Sequence, residues 1–281
     1  MASELGTSAM ATDAKEKAEE VADSPWLKGL ARIGLVAYGL VHLLIAGLAL
    51  QLAWSRGPSK SADPSGAFRT LADQPLGNLL LWLVAVGLGA LGLWRASEAL
   101  WGHRNLDGAK RLGKRVVSAV VASIYTGLGV RSAAVALGLG ATKSHAPQRA
   151  TVGVLSWPGG QTIVVTAGLI IIAVGVGAAT KGVRKAFSDD IDLSSLSSGV
   201  QEAVLHLGQV GYITKGMAYG MVGGLLSYAA WTFDWHKASG LDGALQTILV
   251  QPFGRWMLSA MAFGLVAFGV FAILQFRYRR M

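Results

Sequence analysis

The sequence predicts an all-α membrane protein with six transmembrane helices, arranged as three tandem two-helix hairpin repeats. First, 52% of the 281 residues are hydrophobic and only 15% are charged, whereas about 25% are charged in an average soluble domain. Second, the apolar residues form six stretches, each near the ~20 residues that a membrane-spanning helix needs. Third, residues 29–99 align without a gap to residues 206–276. The six stretches are residues 30–53, 77–99, 115–140, 161–180, 205–231 and 254–276.

The gap-free alignment identifies the building block of the chain. Its shared positions are mostly glycine, proline and tryptophan, as at Gly39 and Gly216 or Pro75 and Pro252. A repeat at a fixed period is the signature of a repeated supersecondary unit, and here each unit consists of two apolar helices joined by a polar linker. We therefore expect three copies of one hairpin.

The first repeat covers residues 27–104 and follows a polar tail, residues 1–26. Its first helix is predicted to begin after Pro25 and to end near Trp54. Glycine and proline then break the helix. A short helix is expected at Ala67–Asp73, before Pro75 and the second span.

The second repeat, residues 105–187, is the divergent copy, and no single offset aligns all of it with the first. A Ser/Asp-rich linker follows at residues 188–204, and the third repeat covers residues 205–281. Ser198 and Gln201 have the spacing of a capping box, so a helix is predicted to begin there.

Tryptophans gather at the ends of the predicted spans, as an interfacial belt requires.

Charge predicts the orientation of these helices. One set of flanking segments carries roughly twice as many Lys and Arg residues as the other, and the positive-inside rule places that set in the cytoplasm. We expect a multi-pass protein of the plasma (inner) membrane with both termini cytoplasmic. The net charge of +9 then fits attraction to anionic lipid, and no nucleic-acid partner is predicted.

Several kinds of chemistry are excluded or disfavoured by the residues. The chain has no cysteine, which excludes disulfides, thiol catalysis and iron–sulfur clusters. It has no nucleophile elbow, zinc-protease helix, Walker loop or dinucleotide fingerprint. We expect a protein that is not an enzyme and that uses no cofactor.

The segment Gly240–Gly254, with Ala262–Gly269 and Arg277–Arg280, resembles the membrane family called "domain of unknown function 1206", which is common in actinobacteria and built from three two-helix repeats. The resemblance covers about residues 27–281 and implies this fold and a membrane location, but no activity. The family usually has Arg before the glycine of a repeat's first helix. This chain has Tyr38 and Lys215 there, so only the third repeat keeps a cation.

Three polar residues within the spans are candidates for function. Lys215 lies about ten residues into the fifth stretch, where an unpaired charge costs at least ~2.5 kcal/mol; alternatively, it snorkels to the interface. Arg131 lies ~24 Å along the third stretch, near the far interface, and is expected to snorkel. His42 could bind haem or a metal. The preferred interpretation is a core histidine bonded across helices.

Small residues on one face of a helix predict close packing in the membrane. Gly216, Gly220 and Gly224 lie at such a spacing in the fifth stretch, and Gly39 and Gly47 repeat the outer two in the first. This face could mediate packing within the chain or with a second copy.

Three functions are compatible with the sequence. The favoured one is a non-enzymatic structural or accessory component that partners another membrane protein or forms a homo-oligomer in the lipid bilayer. The second is a conduit for a small solute or anion, for which Lys215 and Arg131 would provide the charge. The third, a haem-binding redox subunit, depends on His42 alone.

Overall fold

The fold is all helical in a computed structural model that describes residues 25–55, 61–102, 107–139, 146–194, 196–234, 238 and 240–278. The predicted tail therefore lies, up to residue 24, outside the described residues. The helices are α1 (Pro25–Trp54), α2 (Pro64–Ala72), α3 (Gly77–Trp101), α4 (Gly108–Ala136), α5 (Ala146–Leu155), α6 (Gly160–Val183), α7 (Ser198–Trp231), α8 (Gly240–Leu249) and α9 (Gly254–Tyr278), with one 3₁₀ turn at Ser188–Asp190.

Each repeat consists of a long helix, a short helix, a tight turn and a second long helix. The short helix that we predicted in the first repeat has counterparts in both other copies, α5 and α8. In all three turns the residue before the second long helix has a positive φ: Leu76, Gly159 and Phe253. The next residue, Gly77, Gly160 or Gly254, donates its backbone N–H to a carbonyl three residues earlier, at 2.8–2.9 Å. The turn therefore fixes which positions are equivalent, including those of the divergent second repeat.

The six long helices form a ring with pseudo-threefold order that is open between α4 and α6. The second helix of each repeat packs extensively on the first helix of the next: α3 on α4, α6 on α7, and α9 on α1. The same backbone contact recurs at each of these interfaces. A Cβ on Gly92, Gly175 or Gly269 would lie 3.4, 2.7 or 2.9 Å from the carbonyl oxygen of Ala122, Gly216 or Gly39. Because glycine has no side chain, the helix backbones can approach this closely.

Contacts within the repeats are less regular. In the first repeat α1 packs on α3, where a Cβ on Gly87 would lie 3.0 Å from the Cα of Gly34. In the third repeat α7 packs on α9, and a Cβ on Gly211 would lie 2.6 Å from the Cα of Phe268.

In the second repeat α4 and α6 do not pack closely on each other within the described residues. Counted from the shared turns and interface contacts, the positions equivalent to Gly34 and Gly87 are Val117 and Ile170. Both lie at the same offset, so the expectation that no single offset aligns the second repeat with the first was wrong. Two branched side chains thus stand where the first repeat has two glycines, which prevents the same close approach. We call this separation the α4–α6 opening.

Among the described residues, five helices, not the expected six, are long and apolar enough to cross a membrane: α1 from Arg32, α3, α4, α6 and α9. The exception is α7. At 34 residues it is long enough, but its sequence is interrupted by polar groups, among them Gln209, Thr214 and Lys215. Thr214 is buried against α9, and Lys215 faces other helices, as shown below. The described helices are compatible with a multi-pass membrane protein.

The linkers also join the repeats. The N–H of Ala62 donates to the carboxylate of Asp242 at 2.7 Å, which connects the segment between α1 and α2 to α8. Phe187, the last residue of the second repeat, and Ile191 of the 188–204 linker are buried against α7 and α9. Helix α7 begins at Ser198, as its sequence indicates. However, the capping box does not form there, because the Gln201 side chain donates to the carbonyls of Leu193 and Leu196.

Candidate functional site

Lys215 faces other helices of the ring near the middle of the long helices. Its ammonium nitrogen lies 4.4 Å from the ring centroid of Phe268, 5.0 Å from that of Tyr38 and 5.6 Å from that of Tyr219. These rings belong to α9, α1 and α7 itself, and the neighbouring residue Gly216 holds α7 against α6. A cation over an aromatic face is attracted by the ring quadrupole. We call Lys215, Tyr38, His42, Tyr125, Tyr219 and Phe268 the Lys215 cluster.

The repeat explains how the chain assembles this cluster. Tyr38 and Lys215 occupy equivalent positions on the first helices of their repeats, directly before the interface residues Gly39 and Gly216. One turn further along, His42, Tyr125 and Tyr219 are also equivalent, and each comes from a different repeat. Pseudo-threefold packing therefore brings them together.

Aromatic contacts hold the cluster. The Tyr38 and Tyr125 rings meet edge to face at 5.0 Å, and Tyr38 meets Phe268 at 5.8 Å. The hydroxyls of Tyr38 and Tyr219 are also hydrogen-bonded to each other. Edge-to-face pairs contribute roughly 0.5–1.5 kcal/mol each beyond their burial, so the cation lies in a fixed aromatic frame.

His42 is a half-buried member of this frame. Its ring lies 4.3 Å from the Tyr38 ring and 4.8 Å from the Phe268 ring. Its Nδ1 lies 2.9 Å from the carbonyl oxygen of Tyr38 one turn earlier, and since a carbonyl only accepts, Nδ1 carries the proton. This bond lies within α1 and does not cross helices.

Two other cations, Arg95 and Lys181, lie within electrostatic range of Lys215, and both have carboxylate partners. Arg95 of α3 pairs with Glu98 at 2.5 Å, and Lys181 of α6 pairs with Asp190 at 2.5 Å. Both Arg95 and Lys181 repel the charge on Lys215. Within the described part of the chain, no carboxylate pairs with Lys215. When it is protonated, Lys215 is therefore a positive charge without a carboxylate partner.

A second unsatisfied group accompanies this charge. The Nε of Arg95 is buried and has no hydrogen-bond partner within the described residues. Buried donors are normally satisfied, and a guanidinium has donors to spare after one carboxylate contact. An oxyanion near Arg95 and Lys215 would satisfy both groups.

The other residues singled out in the sequence lie apart from this cluster. Arg131 is half-buried on α4, five residues before its C-terminal end, and none of the ring or charge contacts of Lys215 involves it. Gly39 and Gly216 lie at the close helix contacts described above. A Cβ on Gly47, Gly220 or Gly224 would meet no atom within 4 Å.

Sequence reasoning missed most of the cluster. Tyr125 was not singled out because an aromatic residue in an apolar stretch is usual, and aligning it with His42 and Tyr219 requires the register of the divergent repeat. Arg95 and Lys181 lie near the helix ends, where cations commonly snorkel. The turn positions Leu76, Gly159 and Phe253, together with the equivalent interface glycines, give the register of all three repeats.

The arrangement is suited to binding an anionic group. Cations held in a low-dielectric site interact strongly with anions. Among the described residues, no cluster of three His, Asp or Glu side chains could hold a metal ion.

Comparisons with known proteins give a family and a relative. The family model described as Domain of Unknown Function (DUF1206) matches residues 33–102, 116–185 and 210–279, three segments that correspond to the three repeats. An uncharacterised protein of Bacillus subtilis strain 168, YxxB, is 31% identical over 258 residues, which are 92% of this chain and 93% of that protein. No solved structure matches the chain. The resemblance seen in the sequence is thus confirmed.

Proposed function

The chain belongs to the family described as Domain of Unknown Function (DUF1206), and from this premise we propose that it is a non-enzymatic membrane protein that binds an anionic group inside its ring of helices. The sequence left a conduit for a small solute or anion as its second alternative; the present proposal keeps the anion but is one of binding. The observation that carries it is the uncompensated charge of Lys215.

The proposal includes a topology. All six long helices, α7 included, cross the plasma membrane, and both termini lie in the cytoplasm. The polar groups of α7 are compatible with spanning because several of them pack on other helices, where ionisable residues in membranes are usually found. The excess of Lys and Arg beside the ends where α1, α4 and α7 begin supports the orientation.

Energetic arguments support an anionic ligand. A lysine charge at the centre of a membrane helix costs ~2.5–3.5 kcal/mol on insertion scales. The three ring faces offset part of this cost, since each desolvated cation–π contact contributes up to about 2 kcal/mol. They do not remove the repulsion from Arg95 and Lys181. A bound oxyanion offsets this repulsion. It also accepts a hydrogen bond from the Nε of Arg95, which has no partner within the described residues.

Phosphate binding to the full-length protein in a zwitterionic detergent tests this proposal. We expect inorganic phosphate to raise the thermal unfolding midpoint, because a ligand at roughly 100 times its Kd stabilises the folded state by about 2.7 kcal/mol. The rise should persist in Lys215→Arg and disappear in Lys215→Gln.

Two controls make the result specific. Lys114→Gln removes an exposed cation of α4 and should keep the full phosphate response. Without phosphate, Lys215→Gln should be at least as stable as the wild type, because it removes an unmatched charge. A phosphate response that is absent in the wild type, or unchanged in Lys215→Gln, would overturn the proposal.

The accessory role favoured by the sequence stays a prediction. Purification from native membranes tests it: a stoichiometric partner that co-purifies equally with wild type and Lys215→Gln would support a role independent of the anion site.

A further inference from the structure

We infer that the anionic group belongs to a lipid, whose headgroup lies at the Lys215 cluster while its acyl chains pass through the α4–α6 opening. This inference rests on the function proposed above and names the class of ligand.

The opening is an apolar gap in an otherwise closely packed ring. Its defining residues, Val117 and Ile170, are 46% and 41% exposed. Only 22% of the most apolar stretch of α4 and 17% of that of α6 is buried, against 56% for α1 and 61% for α9. The two helices beside the opening are therefore much less covered by the rest of the chain.

The opening also borders the charged site. Helix α4 contributes Tyr125, whose ring contacts Tyr38. Helix α6 contributes Lys181, whose ammonium lies 5.5 Å from the ring of Tyr212 and acts electrostatically on Lys215. Since both helices that flank the opening supply residues to the site, a ligand between them would reach the cations from the side.

A lipid fits the combination of a charged site and an adjacent apolar opening better than the other possible occupants. An apolar helix, from a second copy or from another protein, would cover Val117 and Ile170 but leave Lys215 without a counter-charge. A free anion would satisfy Lys215 and Arg95 but leave the opening exposed. An anionic lipid meets both requirements, because its headgroup carries the negative charge and its chains remain in hydrocarbon.

Photolabelling of the full-length protein in phosphatidylcholine vesicles tests this inference. The probe is phosphatidylglycerol with a photoreactive group in one acyl chain, and phosphatidylcholine with the same chain is its zwitterionic counterpart. We expect labelling of peptides containing Val117 and Ile170 to be about fivefold higher with phosphatidylglycerol, the preference that one cation near an anionic headgroup provides. In Lys215→Gln this preference should vanish.

Leu83 provides the matched position. It lies on α3 and is 52% exposed, so both lipids should label it equally in every variant. The double variant Val117→Trp/Ile170→Trp fills the opening. It should lose the phosphatidylglycerol preference but keep the stabilisation by inorganic phosphate.

The outcomes separate the two proposals. Phosphate stabilisation with no preference for phosphatidylglycerol would overturn the lipid inference and leave the anion site standing. A lipid preference that survives in the double tryptophan variant would overturn entry through the opening. Absence of both phosphate stabilisation and lipid preference would remove both proposals.

Discussion

The first and second repeats have the same turn and the same contact with the next repeat, yet only the first closes on itself. Gly34 and Gly87 bring α1 against α3, whereas Val117 and Ile170 stand at the same positions in α4 and α6. Both copies nonetheless keep their interface with the following repeat, through Gly92 or Gly175. The difference teaches that the packing unit is the pair of helices from adjacent repeats, and that contacts within a hairpin are dispensable in one copy.

Exchanging the residues that distinguish the two repeats is the strongest test of this difference in packing. Gly34→Val should destabilise the protein by ~1–3 kcal/mol or more, because a side chain there meets the backbone of α3 at Gly87. Val117→Gly should cost about 1 kcal/mol or less, chiefly through helix propensity. Unfolding in detergent with increasing SDS measures both. Equal losses would show that the two hairpins are packed alike.

Glycines on one helix allow a second test, of the contact between repeats. A Cβ at Gly216 would lie 2.6 Å from the carbonyl oxygen of Gly175, while one at Gly220 would meet no atom within 4 Å. We expect Gly216→Ala to cost roughly 1–3 kcal/mol, although alanine favours a helix over glycine by about 1 kcal/mol. Gly220→Ala should be neutral or stabilising in the same assay. A neutral Gly216→Ala would contradict the assignment of the adjacent-repeat pair as the packing unit.

The smallest expected effect concerns the hydrogen bond between Ala62 of the first repeat and Asp242 of the third. Burial raises the pKa of Asp242 above its ordinary value, against the hydrogen bond from Ala62. A carboxyl whose pKa is higher in the folded than in the unfolded state stabilises the fold below its unfolded pKa, and this stabilisation is lost as the pH rises through the folded pKa.

The unfolding midpoint of the wild type should therefore gain more on acidification towards pH 4 than that of Asp242→Asn. The asparagine retains a carbonyl oxygen to accept from Ala62 but does not titrate in this range. Parallel pH profiles of the two proteins would rule out this contribution.

The helices could be predicted from the sequence because a chain in hydrocarbon must satisfy its own backbone hydrogen bonds. Apolar runs flanked by Pro25 or Trp54 therefore identify helices with little ambiguity. The neighbours of each helix could not be predicted. Gly39, Gly47 and Gly216 belong to the same glycine pattern, but only Gly39 and Gly216 lie at close helix contacts. The sequence pattern does not say which glycine faces a partner, because that depends on the three-dimensional arrangement.

The candidate site was predictable only where it broke the apolar pattern. Lys215 was conspicuous as a charge within a span, and this is why the sequence identified it. Its partners Tyr38 and Phe268 are ordinary residues for a membrane helix. Their role arises from long-range packing of α1, α7 and α9, which no local pattern records.

The closure of α9 on α1 has a consequence for how the chain can be cut and assembled. Since the last long helix packs on the first, α1 lacks one of its principal neighbours until nearly the whole chain has been made, and such non-local closure slows folding. The cyclic order also means that the polypeptide need not start at α1. A circular permutant that joins the ends beyond α9 and α1 and opens within residues 188–197 would keep the packing of α6 on α7, α9 on α1 and α3 on α4. New termini of this kind would make α7 the first helix to be synthesised and α6 the last.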